Sequence, residues 1–256
     1  MKRVGLLIIL MATLFSAKAQ RPDYKDLDIY FADNDLEKVI SKSLKYTQGD
    51  DSRKDALPYL FLSLANFEIS KGEDQDLLKD FPRAYKDAIK YASKAIQKDD
   101  DERTMYYNNI AHFTDLKEVI FEDVRNLASG GEYGKLAGTL PLMDKLEKNE
   151  VGIAFLKAVA KYHRGDKSGF RTDQSKALEL LDAMESGSLI VNDDDRVDIA
   201  EKKELDREVF KYCIVQYAKL LVQMDELSEA RRVLGKIKQL YEKDDDFMED
   251  YNKIVN

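Results

Sequence analysis

The chain has 256 residues, with 41 lysines and arginines against 49 aspartates and glutamates, and its net charge is −8 at neutral pH. A surface this acidic repels nucleic acids and anionic lipids, so we expect neither as a partner. Cys213 is the only cysteine, which excludes an internal disulfide, and its apolar neighbours predict a buried thiol on a helix.

The first predicted element is a secretory signal. A basic start at residues 2–3, an apolar run at 4–15 and the small residues Ala17 and Ala19 form its three parts. The run is shorter than the roughly 20 apolar residues that a membrane-spanning helix needs. We therefore expect cleavage after Ala19 and a mature chain that begins at Gln20.

Cleavage has consequences for charge and location. The signal holds three basic and no acidic side chains, so its removal shifts the net charge from −8 to −11. Gln20 stands where a lipoprotein would have cysteine, and no later stretch is apolar enough to span a bilayer. We expect an exported protein without a transmembrane segment, located in the periplasm or, alternatively, secreted.

The rest of the chain is predicted to be all-α. Four prolines and twelve glycines are few helix breakers for this length. Apolar residues recur at steps of three and four, and no long run alternates as a half-buried strand would. We expect about eight to ten helices and no sheet, with helix starts near Pro58 and Pro82.

Acidic clusters recur along the chain at intervals of roughly 45 to 51 residues, a period typical of helical arrays. They are Asp50-Asp51, Asp99–Asp101, Asn149-Glu150, Asp193–Asp195 and Asp244–Asp246. Aspartate at such boundaries predicts an N-terminal cap for the following helix.

A short motif occurs once in each interval: a bulky apolar residue, two spacers, an apolar residue and alanine. Its copies are Phe61-x-x-Leu64-Ala65, Tyr107-x-x-Ile110-Ala111, Leu156-x-x-Val159-Ala160 and Ile214-x-x-Tyr217-Ala218. Three copies are followed by a second stripe: Ala88, Ala92 and Ala95; Ala177, Leu181 and Met184; Ala230, Leu234 and Ile237. The alanines leave room for two helices to pack closely.

These motifs resemble the tetratricopeptide repeat, over about residues 34–245. The resemblance implies a helical-hairpin solenoid in a single domain from residue 20, and a generic helical solenoid is the alternative. The implied units are roughly 51–99, 100–149, 150–193 and 194–245, with a capping helix at 246–256. Two units need insertions, at Lys71–Asp80 and near Asp166–Arg171, and Pro141 predicts that the second helix of its unit starts near Thr139.

In this family the first helices line a concave groove that takes peptides or helices. The resemblance therefore implies a partner groove, carried over by register as Tyr59, Leu62, Asn66, Asn108, His112, Lys157, Lys161, Arg164, Tyr212, Val215 and Lys219. The basic residues among them are predicted to clamp an acidic segment or a carboxylate. The alternative is that they form solvated helix surface.

Little in the sequence points to catalysis or cofactors. His112 and His163 lie in different units without partners at metal-ligand spacing, so neither a metal nor a cofactor is expected. Gly130-Gly131 is typical of a helix stop rather than a phosphate loop. A calcium loop starting at Asp193 fails at its turn, where Asp198 replaces the required glycine.

The leading functional hypothesis is a non-enzymatic, exported scaffold that binds a protein or peptide through its groove. One alternative is a glycan-binding or nutrient-binding module, because some exported sugar-binding proteins use tetratricopeptide helices. Another is an enzyme with an acidic site, which would need a deep pocket with two carboxylates of raised pKa.

Overall fold

A computed structural model of the chain describes residues 23–50, 52–146, 151–184 and 197–255. The described residues form helices and no strand, as the sequence predicts. The predicted signal and the clusters Asn149-Glu150 and Asp193–Asp195 lie outside them. The helices fall into two compact units, up to Glu102 and from Arg103. No helix in the described ranges is both long and apolar enough to cross a bilayer.

The first unit is built around one central helix. Its helices are α1 (Lys25–Ala32), α2 (Leu36–Tyr46), α3 (Leu57–Lys71), α4 (Gln75–Asp80) and α5 (Ala84–Lys98). Helix α3 contacts each of the other four. It has apolar residues on all sides, with Pro58 in its first turn as predicted, and nearly every side chain from Pro58 to Phe67 is buried.

The second unit contains eight α-helices and a short 3-10 helix at Lys238–Tyr241. The α-helices are α6 (Thr104–Asn108), α7 (Ile110–Ser129), α8 (Tyr133–Leu146), α9 (Val151–His163), α10 (Lys167–Ala183), α11 (Val197–Gln223), α12 (Leu227–Ile237) and α13 (Asp245–Val255). Together the two units hold thirteen α-helices within the described ranges, more than the eight to ten predicted. The short α4 and α6 and the hairpin of α1 and α2 account for the difference.

Helix α11 is the centre of the second unit and contacts α7, α9, α12 and α13. Ring and ion-pair contacts place α7 parallel to α11: Lys117 pairs with Asp206, and further along both helices Phe121 meets Tyr212. A regular repeat array would bring α11 mainly against α9, its neighbour in the series. Here α11 also reaches α7, and the space between α7, α11 and α13 forms the site described below.

Four hairpin turns share one local structure. Each places a residue of positive φ before an acidic residue, in the pairs Asn34-Asp35, Gly131-Glu132, Gly165-Asp166 and Asp225-Glu226. In each turn the amide of the acidic residue donates to the carbonyl five residues earlier, over 2.8–3.0 Å. This arrangement closes the end of the first helix and starts the second within three residues. The predicted helix stop at Gly130-Gly131 is therefore confirmed.

The aspartate caps follow the prediction at one cluster and differ from it at two. Asp244 does cap α13, because its carboxylate accepts a hydrogen bond from the Phe247 amide over 2.9 Å. Neither Asp50 nor Asp99 caps the helix that follows it, since both lie several residues before that helix begins. Side-chain caps come instead from single aspartates directly before a helix, namely Asp35, Asp74 and Asp166.

The packing motif is buried in three of its four copies. The alanines of α3, α9 and α11 are fully buried, and so are the alanines of the second stripes in α5, α10 and α12. In the remaining copy Ala111 is exposed. The helix is interrupted at Asn109, between α6 and α7, so the residues of the motif no longer share one helical face.

Two predicted interruptions are absent. Helix α8 runs without a break through Pro141 and begins at Tyr133, so the predicted start near Thr139 is wrong. The residues near Asp166–Arg171 form no inserted loop. A short turn ends at Asp166, and the additional residues belong to α10, which begins at Lys167. The segment Lys71–Asp80, predicted as an insertion, connects α3 to α5, and part of it forms α4.

Close approach of α9 to α11 depends on Gly152. A Cβ atom at this position would lie 3.1 Å from the Cα of Phe210 and 3.2 Å from the Cβ of Cys213. The Cys213 thiol is fully buried at this crossing, as predicted. The contact leaves no space for a side chain at position 152 of α9.

We expect Gly152→Leu to lower the free energy of unfolding by about 1–3 kcal/mol, because it overpacks this crossing. Gly235→Leu on α12 is the matched control, since a Cβ there meets nothing within 4 Å. Urea denaturation followed by circular dichroism measures both variants. Equal stability of the two would contradict the close helix crossing.

Candidate functional site

A groove of about 250 Å³ lies between α7, α11 and α13 in the second unit. Helix α11 forms its floor with residues at steps of three and four, which share one helical face. The floor residues are Glu208, Lys211, Tyr212, Val215, Gln216 and Lys219. Three of them, Tyr212, Val215 and Lys219, belong to the groove predicted from the sequence.

The α7 wall consists of Phe121 and Arg125, one turn apart. The Phe121 ring meets the Tyr212 ring edge to face, with 5.6 Å between the centroids. The Arg125 guanidinium lies 5.7 Å from the Phe121 centroid and 5.8 Å from that of Tyr212. No carboxylate in the described ranges lies within ion-pair distance of Arg125, so its charge is available at the edge of the groove.

The α13 wall consists of Asp246, Phe247 and Asp250. Asp250 pairs with Lys219 of the floor over 2.9 Å. Phe247 is 1% exposed and anchors the helix against Tyr241. Asp246 is exposed and has no ion-pair partner within the described part of the chain.

Lys211 fastens the start of α13 to the floor. Its ammonium contacts the carboxylates of Asp244 and Glu208 over 2.6 and 2.7 Å. Burial alone would lower the pKa of Lys211, but the hydrogen bonds to both carboxylates outweigh burial and raise it. For Asp244, burial favours a higher pKa, while Lys211 and the Phe247 amide outweigh it and hold the pKa below 3.8.

The Tyr212 hydroxyl is buried in the groove floor. Ser129 lies beside this hydroxyl, although the two groups are not in good hydrogen-bonding geometry. Burial raises the pKa of the Tyr212 hydroxyl, so it stays protonated at neutral pH.

Substitutions of Asp244 are expected to separate its two roles. Asp244→Asn keeps a good helix cap but loses the ion pair with Lys211. Asp244→Ala loses both, which should lower the free energy of unfolding by about 1–2 kcal/mol. Because the folded pKa of Asp244 is lowered, its charge stabilises the fold above pH 3.8, and this contribution disappears as the pH falls through the lowered value. The raised pKa of Lys211 gives a contribution that is present below pH 10.5 and lost above the raised value.

Denaturation at several pH values tests this assignment. The free energy of unfolding of Asp244→Asn should fall less steeply than that of the unmodified chain as the pH drops below 3.8. A parallel pH dependence in the two proteins would show that the ion pair contributes nothing.

The other basic residues of the predicted groove do not line the groove between α7, α11 and α13. Lys157 pairs with Asp144 of α8, and Lys161 pairs with Asp173 of α10 over 2.8 Å. These ion pairs connect α9 to its neighbours on both sides. Arg164 is exposed in the turn after α9 and has no ion pair within the described ranges.

The predicted groove residues of the first unit are buried. The Tyr59 hydroxyl donates to the carbonyl of Arg53 over 3.2 Å, and the Asn66 amide donates to the carbonyl of Leu62 over 2.7 Å. Leu62 is fully buried. Helices on several sides of α3 leave this face no access to a partner.

The histidines and Asn108 lie outside the groove. Asn108 is exposed on α6, while His112 is 8% exposed on α7 and contacts the Phe113 ring. His163 stacks on Tyr133 with 3.9 Å between the centroids, and burial lowers its pKa. Within the described ranges, no three His, Cys, Asp or Glu side chains come together as metal ligands.

Sequence reasoning missed most of the groove. Phe121 and Arg125 lie on the opposite wall, and Asp246 and Asp250 lie on α13, which was expected only to cap the array. Glu208 and Gln216 could have been found by extending the Tyr212 register by one turn in each direction.

Comparison with protein-family models, curated proteins and solved structures finds no match to the chain.

Proposed function

We propose that the chain is an exported interaction scaffold of tetratricopeptide-like helical hairpins, and that it holds a protein partner in the groove between α7, α11 and α13. The carrying observation is the groove itself, a concave site with Tyr212 on its floor and an aromatic and a charged residue on each wall. Aromatic and arginine side chains in such a setting are the ones that dominate protein interfaces. Export is inferred from the N-terminal pattern alone.

The shared turns and buried alanine stripes support the repeat architecture within this proposal. Each of the four turns joins two helices of a hairpin in the same way. Stacked hairpins present a stiff surface on which a partner can be held without ordering a loop. The groove uses α7, α11 and α13, which are the first helices of two hairpins and the terminal helix.

A substitution that fills the groove tests the function. Gln216 lies half-buried on the floor, so Gln216→Trp places an indole in the cavity without removing a core side chain. We expect native co-purification to recover a stoichiometric protein with the unmodified chain and to lose it with this variant. Gln239→Trp, at an exposed position outside the groove, is the control and should retain the partner.

The same experiment separates the alternatives. A partner that is retained equally by Gln216→Trp and Gln239→Trp would overturn the assignment of the groove. If no protein is recovered and calorimetry against a glycan panel gives a saturable heat, the chain is a glycan-binding module and the proposal fails.

A further inference from the structure

The two walls of the groove carry opposite uncompensated charges. Arg125 on α7 is held by cation–π contacts to Phe121 and Tyr212 rather than by a carboxylate. Asp246 on α13 is exposed, and no cation in the described ranges pairs with it.

The remaining charged residues of the groove form ion pairs within the fold. Lys211 pairs with Glu208 and with Asp244, and Lys219 pairs with Asp250. Within the described ranges, Arg125 and Asp246 are therefore the charged lining residues that have no ion pair.

The space between these charges is limited in size, and its accessible surface is mostly polar. Val215 and Phe247 are buried, and Gln216 and Lys219 line the groove beside the Tyr212 ring. A volume of about 250 Å³ lies below the roughly 300–1,000 Å³ of typical small-molecule sites and suits one large side chain.

The separation of the charges favours an extended occupant. Arg125 and Asp246 stand on two helices that each pack on α11, and packed helix axes lie about 8–10 Å apart. A protein segment can carry an acidic and a basic residue on opposite sides of the groove, so that each charged wall meets its opposite.

We propose that the groove binds a bipolar protein segment, which lies across Tyr212 between the two walls. An acidic residue of the segment faces Arg125, and a basic residue faces Asp246. This inference rests on the proposed function and specifies the chemistry of the partner.

Selection from a displayed library of random peptides tests the inference on the full chain. Peptides enriched by the chain should share an acidic and a basic residue at a constant spacing. Arg125→Glu should weaken their binding about tenfold or more, and Asp246→Lys should do the same from the other wall.

Matched controls carry the same charge changes outside the groove. Arg171→Glu lies on an exposed part of α10, and Asp245→Lys lies beside Asp246 in the first turn of α13 without lining the groove. Both should bind the selected peptides as the unmodified chain does.

Three outcomes would overturn the inference: no enrichment of peptides, enriched peptides without the acidic residue, or affinities unchanged by Arg125→Glu. These results are distinguishable from failure of the proposed function. If Gln216→Trp abolishes capture of the native partner while Arg125→Glu does not, the groove binds a protein but not through this charge pattern.

Discussion

Asp206→Ala is expected to lower the free energy of unfolding by about 3 kcal/mol, because it leaves the charge of Lys117 buried without this carboxylate. Lys117 is 3% exposed, and its ammonium lies 2.6 Å from the carboxylate of Asp206. The pair joins α7 to α11 across 89 residues of sequence. A buried ammonium that loses a carboxylate is costly because burial limits the water that could replace that carboxylate.

The matched experiment removes the charge instead of the partner. Lys117→Met keeps most of the side-chain volume, so we expect a change within about 1 kcal/mol. In the Asp206→Ala background, Lys117→Met should restore most of the lost stability. Urea denaturation measures the full cycle, and equal losses for both single variants would contradict an electrostatic origin.

Phe247→Ala is expected to detach α13 from the second unit. The Phe247 side chain is fully enclosed and contacts the rings of Tyr241 and Tyr251 at 5.2 and 6.0 Å. Truncation of a buried phenylalanine costs about 3–5 kcal/mol. Since α13 is a short terminal helix, a loss of this size exceeds what its remaining contacts with α11 and α12 are expected to supply.

Hydrogen exchange measured by mass spectrometry locates the effect. Amides of residues 245–255 should lose protection in Phe247→Ala, while those of α9 and α12 keep it. Asn252→Ala, an exposed change on the same helix, is the control and should leave protection unaltered. Uniform loss across the second unit would show that α13 does not open by itself.

Detachment of α13 also connects stability to function. The helix supplies Asp246 and Asp250 of the acidic wall, and Lys211 and Lys219 would lose Asp244 and Asp250. We therefore expect Phe247→Ala to lose partner binding even where the rest of the unit stays folded.

Local patterns in the sequence predicted local structure well. The alanines at steps of three and four are buried because close helix packing admits little else, and Gly131 ends α7 because its positive φ suits glycine. The pairing of a left-handed residue with an acidic residue at four turns was equally visible, and it would have located the hairpin of α1 and α2.

Other features depend on contacts that a single sequence does not reveal. Pro141 stays within α8, with Leu136, Leu140 and Met143 of the same helix buried. Lys157 and Lys161 were predicted to face a partner, but both find carboxylates on neighbouring helices. The contact between α7 and α11 joins residues that are far apart in the sequence, so no local periodicity indicates it.

Site-specific photocrosslinking tests the proposed groove most directly. A benzophenone amino acid at position 216 would face the groove, and the same amino acid at position 239 would lie outside it. After irradiation of the producing cells, we expect position 216 to give a discrete crosslinked protein and position 239 to give none. Crosslinking at both positions alike, or at neither, would contradict a partner held in the groove.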